Sequence, residues 1–79
     1  MSDQGNDWQQ WVASDPAVLS GAPVVAGTRV PVALVLGSLA AGLTVDQVRE
    51  HYPTVSVDAV RGCLAYAAYL AADEVRLIA

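Results

Sequence analysis

The chain has 79 residues, a net charge of −4 and an isoelectric point near 4.4, and it contains no lysine. Its four arginines are spread along the sequence, which argues against a stand-alone nucleic-acid binder, because affinity for phosphate depends on clustered basic residues. Hydrophobic residues make up 54% of the chain, more than one small core needs, so we expect part of this surface to meet a partner or a second copy.

The sequence shows neither a membrane-spanning segment nor a signal peptide, and its single cysteine cannot form an internal disulfide. No apolar run reaches the roughly 18–20 residues that a membrane-spanning helix needs, and the polar, acidic N-terminus does not resemble a signal peptide. The single cysteine, Cys63, is expected to be a buried structural thiol. We therefore expect a cytoplasmic protein that does not bind membranes.

The N-terminal part of the chain divides into two stretches. Residues 1–10 are predicted to be a polar lead-in to a single domain over residues 11–79. Within that domain, residues 11–30 are interrupted by proline and glycine and predict a short β/turn segment. The expected strands are Val12–Ala13 and Val24–Ala26, and Trp8 and Trp11 are expected to pack on the domain or on a partner.

Residues 31–79 predict three helices. Pro31 suits the first position of the first helix, and Gly42 suits the left-handed residue just past its end. Thr44 and Gln47 have the spacing of a capping box, so they predict the start of the second helix.

The third helix is predicted to begin after Ser56 as its N-cap and to run from Val57 to about Ile78. Tyr66 and Tyr69 lie largely off its main apolar stripe, and a helix that is apolar on more than one face is usually buried on more than one face. We therefore expect a partner to share this helix. The stripe consists of Val57, Val60, Leu64, Ala67, Ala71 and Val75.

Few residues could support catalysis. His51, the only histidine, precedes Pro53 at a helix C-terminus, where it is expected to bond free carbonyls rather than act as a base. Asp46 and Glu50 share a helix face, but nothing near them in the sequence completes a metal site. We expect no enzymatic activity, no metal and no cofactor.

The second and third predicted helices have the spacing of a helix-turn-helix, in which the later helix enters a DNA groove. The opening turns of that helix should then carry basic or amide side chains. Here they carry only Arg61 as a suitable reader, and Asp58 would repel phosphate. We expect DNA to be bound only weakly, or together with a partner.

A longer pattern over Asp15 to Ala68 resembles a bacterial and archaeal family, domain of unknown function 433. Gly27-Thr28-Arg29-Val30-Pro31-Val32 is its most specific string. The supporting strings are Asp15-Pro16-Ala17-Val18, Gly21-Ala22-Pro23-Val24-Val25, Ala41-Gly42-Leu43-Thr44, Tyr52-Pro53 and Ala65-Tyr66-Ala67.

The resemblance implies a mainly α, three-helix, helix-turn-helix-like fold with a short N-terminal β element. It also implies an antitoxin-like role beside a PIN-like ribonuclease, with no enzymatic activity. The chain departs from the family pattern at Ala22, where a basic residue is usual.

These observations favour a protein-binding module that forms a homodimer and binds a cognate toxin protein. A stand-alone transcriptional regulator with the same helix-turn-helix is the alternative. The residues expected to contact a partner or nucleic acid are Arg29, Arg61, Tyr66 and Tyr69. For Arg29 the alternative is a structural anchor that bonds backbone carbonyls or a carboxylate such as Asp15.

Overall fold

The computed structural model describes residues 8–78, with side chains for residues 8–73. It confirms a mainly helical, three-helix fold with a short two-stranded antiparallel sheet near the N-terminus. The strands are β1 (Val12–Ala13) and β2 (Val24–Val25), and the helices are α1 (Val32–Ala40), α2 (Val45–His51) and α3 (Val57–Ile78). Short 3-10 turns lie at Trp8–Gln10 and Leu19–Gly21.

The sheet begins where the sequence predicts it. Val12 pairs with Val25, and Ala13 pairs with Val24. The second strand is one residue shorter than expected, because Ala26 already belongs to the following turn. Even so, the amide of Ala26 donates to the carbonyl of Trp11 at 2.8 Å, which holds the start of that turn against the chain before β1.

A turn centred on Gly27 and Thr28 connects β2 to α1. Gly27 has a φ of +78°, a left-handed conformation that favours glycine. The hydroxyl of Thr28 donates to the carbonyl of Val25 at 2.8 Å and accepts from the amide of Val30 at 3.0 Å. The returning chain then runs beside β2, because the amide of Val25 donates to the carbonyl of Val30 at 2.8 Å.

Pro31 is the N-cap of α1 and not its first helical residue. It has an extended conformation (φ −63°, ψ 138°) and forms an isolated β-bridge with Val24. The bridge keeps Pro31 beside β2, so the helix begins one residue later, at Val32. At the other end, Gly42 has a φ of +103°, which confirms its predicted place just past the helix.

The predicted starts of α2 and α3 are confirmed. The Thr44 hydroxyl accepts from the amide of Gln47 at 3.1 Å, and the Gln47 side chain accepts from the amide of Thr44 at 2.8 Å. Ser56 accepts from the amide of Ala59 at 3.0 Å in the same manner. Each N-cap of this kind typically contributes about 1 kcal/mol to stability.

The core is built mainly from valine. Its members come from β2 and all three helices, so it joins the hairpin to the helical part of the chain. Burial of each such side chain typically contributes about 1.5–3 kcal/mol. The cluster consists of Val25, Val32, Val35, Val48, Val55, Ala59, Val60 and Cys63.

Of the described members of the apolar stripe predicted for α3, only Val60 belongs to the core cluster, and Val75 lies outside the described side chains. Val57, Leu64 and Ala71 of that stripe are exposed. The buried face carries smaller residues, with Ala59, Val60 and Cys63 at its centre and Tyr66 packed at its edge. Because α3 is apolar on two faces, its hydropathy did not reveal which face the rest of the chain covers.

The N-terminal turn packs closely against α3. Gly62 is buried there, and an added Cβ would lie 2.4 Å from the Cβ of Trp11. The fold therefore needs a residue without a side chain at this point of the helix. Trp8 also packs on α3, so both tryptophans lie on the domain, one of the two placements expected from the sequence.

We predict that Gly62→Ala lowers the free energy of unfolding by about 1–3 kcal/mol, because the new methyl group overpacks against Trp11. Gly37 is the matched control, since it lies in α1 with nothing within 4 Å of an added Cβ. Gly37→Ala should leave stability unchanged or raise it by up to about 1 kcal/mol. Urea unfolding of both variants tests this, and equal effects would show that the contact with Trp11 is not restrictive.

Candidate functional site

The second and third helices pack as a helix-turn-helix over a shared core. The turn between them is fixed from both sides, because Val55 is fully buried and its carbonyl accepts a hydrogen bond from Nε of Arg49 at 3.2 Å. This role of Arg49 was not foreseen from the sequence. The sequence feature that could have indicated it is the spacing, because Arg49 lies six residues before Val55, on the other side of a turn at Tyr52-Pro53.

The exposed surface of this helix-turn-helix is not basic. The first turns of α3 present Val57, Asp58 and Arg61 to solvent. On α2, Asp46 and Glu50 line an open depression together with Arg49 and Pro53. The arrangement is therefore helix-turn-helix-like, while these exposed positions carry three acidic residues and two arginines.

Large apolar side chains are exposed mainly along α3. Of the six found within the described residues, four lie on this helix and are between 41% and 53% exposed. Those four are Val57, Leu64, Tyr69 and Leu70. A concentration of apolar surface on one element is a feature of protein-binding surfaces.

An aromatic cluster joins the two ends of the chain. The ring of Trp8 meets Tyr66 edge-on at 4.9 Å and Tyr69 at 5.3 Å, measured between ring centroids. Two of the expected contact residues are thus brought together through Trp8, whose role was left open by the sequence. Beside them is a groove of about 470 Å³, lined by Trp8, Gln9, Ala68, Tyr69 and Ala72.

Arg29 lies in the turn before α1 and is exposed. The sequence left open whether it anchors the fold by hydrogen bonds, with Asp15 as a possible acceptor, or contacts a partner. Within the described residues neither Arg29 nor Arg61 makes a hydrogen bond or an ion pair, and the Asp15 carboxylate accepts instead from the amide of Ala17 at 2.9 Å. The anchoring role is therefore not observed.

The two side chains with the most reactive heteroatoms have structural surroundings. His51 Nδ1 lies 2.9 Å from the carbonyl of Gln47, as expected for a histidine at a helix C-terminus. Cys63 is fully buried, and this burial raises the pKa of its thiol because the thiolate would lose its hydration. Among the residues that the structure describes, no three histidine, cysteine or carboxylate groups come together as metal ligands.

Within the same described part of the chain, no helix has the length and apolar character needed to cross a membrane.

A family model described as "Protein of unknown function (DUF433)" matches residues 12–67. The chain belongs to the DUF433 family. A curated relative, "Uncharacterized protein y4eO" of Sinorhizobium fredii (strain NBRC 101917 / NGR234), is 45% identical over 56 residues, which are 71% of this DUF433 chain. The matched region spans only 25% of that relative. No solved structure matches the chain.

Most of the specific DUF433 string has a role in folding. Gly27 and Thr28 form the turn, Pro31 caps α1, and Val32 is buried in the core. Val30 is packed against that core as well. Arg29 is the one side chain of the string for which the fold has no use among the described residues, so it remains a candidate for contact with another molecule.

We predict opposite outcomes for two arginines of this DUF433 chain. Arg49→Ala should lower the free energy of unfolding by about 0.5–1.5 kcal/mol, because the Val55 carbonyl loses its donor. Arg29→Ala should change it by less than about 0.5 kcal/mol, as is usual for exposed substitutions. Thermal and urea unfolding measure both changes in stability. If Arg29→Ala proves destabilising, Arg29 does anchor the fold.

Proposed function

We propose that this chain is a non-enzymatic protein-binding module, the antitoxin-like component of a bacterial toxin–antitoxin pair, and that it binds a PIN-like nuclease. The observation that carries the proposal is the exposed apolar surface of α3, with Leu64, Tyr69 and Leu70 about half exposed. Leaving three such side chains in water is unfavourable, and a partner protein that covers them gains the free energy of their burial.

The charge of the chain supports the same proposal. A net charge of −4 without any lysine favours a basic partner protein over the phosphate backbone. Nucleases carry basic surfaces to hold their substrates, so an acidic domain is suited to cover such a surface. Inhibition would then follow from occlusion of the nuclease, with no chemistry required of this chain.

A second copy of the chain is part of the proposal. The exposed part of α3 includes Ala71, which does not line the groove beside Trp8 and whose small side chain lets another helix approach closely. We propose a homodimer through this helix in the cytoplasm, where a lone thiol such as Cys63 stays reduced. Arg29 and Arg61 are the proposed polar contacts, because both are exposed and unbonded among the described side chains.

We predict that Leu64→Asp weakens binding to the proposed PIN-like nuclease partner at least about tenfold, because a carboxylate would be buried in the interface. Leu34 on α1 is the matched control, since Leu34 and Leu64 are both 47% exposed. Leu34→Asp should leave the affinity unchanged. Titration calorimetry with the purified nuclease measures both, alongside thermal unfolding of each variant and light scattering of the free chain.

If both variants bind like the original chain, α3 is not the contact surface. If the original chain neither binds the nuclease nor lowers its ribonuclease activity, the antitoxin-like role is wrong. A free chain that stays monomeric at high micromolar concentration would contradict the homodimer.

The helix-turn-helix geometry favours one second candidate, a DNA-binding regulator that acts alone. Against it, Asp58 lies in the opening turn of α3 and Arg61 is the only basic residue there. We predict that the isolated chain binds the DNA upstream of its gene no more tightly than about 10⁻⁶ M, the strong end of non-specific binding. A mobility-shift titration at physiological salt, with and without the nuclease, measures this.

Sub-micromolar, sequence-specific binding by the chain alone would favour the regulator. Arg61→Ala would then identify the reading helix, because loss of that binding would require Arg61 to touch DNA.

A further inference from the structure

The groove beside Trp8 is formed entirely outside the part of the chain that the family model matches. That model covers residues 12–67, whereas the lining residues precede it or follow it. Trp8 and Gln9 come from the N-terminal turn, and Ala68, Tyr69 and Ala72 come from the later half of α3. Two segments that are distant in sequence thus build one surface on a shared scaffold.

The scaffold holds the groove in a defined shape. Trp8 is fixed by its edge-on contact with Tyr66, which itself packs against the core. Trp11 is held three residues later by its close approach to Gly62, and its amide donates to the carbonyl of Trp8 at 2.8 Å. The Trp8 ring is therefore held by contacts within the chain, and the Tyr69 ring packs against it while remaining 53% exposed.

The lining chemistry fits a long cationic side chain. Aromatic rings attract a guanidinium or ammonium group held within about 6 Å of the ring centroid, and tryptophan is the strongest of them. The methyl groups of Ala68 and Ala72 offer an apolar path for the aliphatic stem of such a side chain. Asp73 directly follows Ala72, is exposed, and lies one helical turn beyond Tyr69. Among the charged residues of α3, Asp73 is the one nearest in sequence to the lining residues Tyr69 and Ala72.

We propose that this groove holds an arginine or lysine side chain of the partner protein and thereby determines which partner the chain binds. The proposal rests on the proposed function for the existence of that partner, and on the groove for the chemistry of the contact. Charge complementarity favours this occupant over an aliphatic anchor, because the chain has a net charge of −4 and the rings of Trp8 and Tyr69 line the groove.

The first test needs no partner. Acetyl-arginine amide is titrated into the isotopically labelled full chain, with acetyl-norleucine amide as the uncharged control, and the indole N–H resonance of Trp8 is followed by NMR. We expect a concentration-dependent shift with the arginine compound alone, and its loss in Tyr69→Ala. Tyr69→Phe should keep the shift because it keeps the ring. Equal shifts with both compounds, or no shift, would overturn the proposal.

The second test uses the proposed PIN-like nuclease partner. Tyr69→Ala and Asp73→Asn should each weaken binding roughly three- to tenfold, and the Asp73 variant should also reduce the dependence of affinity on salt. Leu34→Ala, on the exposed face of α1, is the control that should change neither. Unchanged affinity and salt dependence in both groove variants would overturn the inference while leaving the antitoxin-like role intact.

The two tests separate the two proposals. If the original chain does not bind the nuclease at all, the proposed function fails, and the arginine titration still decides the chemistry of the groove.

Discussion

The close contact between Trp11 and Gly62 determines how the N-terminal turn meets α3. Trp11 directly precedes β1, so its position against α3 also fixes where the hairpin lies over the helices. β1 in turn pairs with β2, and β2 leads through the Gly27–Thr28 turn into α1. A glycine in the middle of a long helix normally lowers its stability by about 1 kcal/mol relative to alanine. Here that loss is offset by a packing contact that no residue with a side chain would allow.

Local signals in the sequence predicted much of the fold because their physics is local. A capping box, a proline before a helix and a glycine after one act through hydrogen bonds and dihedral angles within four residues, so Thr44, Gln47 and Gly42 could be read without knowing the tertiary structure. The same holds for the third helix, whose N-cap at Ser56 and whose bounds agree with the expectation. Pro31 shows where prediction from local signals fails. Its bridge to Val24 is a tertiary contact, and the helix starts one residue later than predicted.

The face of α3 that enters the core could not be predicted in the same way. Both faces of the helix are apolar, so its periodicity did not decide which of them the rest of the chain covers. The structure selects the face with the small residues Ala59, Gly62 and Cys63, because close approach of the hairpin and the N-terminal turn needs small side chains more than it needs large ones. The burial of this face of α3 also determines which of its side chains remain exposed in the candidate site. Tyr66 and Tyr69 were singled out by type, but the role of Trp8 in joining them depends on a contact between the chain's opposite ends.

The helix-turn-helix part of the chain and the part that carries the groove differ in what they offer another molecule. The first is scaffold, since Arg49 and Val55 hold its turn and its outward positions mix Asp58 with Arg61. A scaffold of this shape can serve DNA binding or protein binding, and function must be argued from its surface. The later half of α3 and the N-terminal turn present aromatic rings, small side chains and exposed leucines instead. The residues that line the groove lie outside the matched region, and none of them belongs to the valine core cluster.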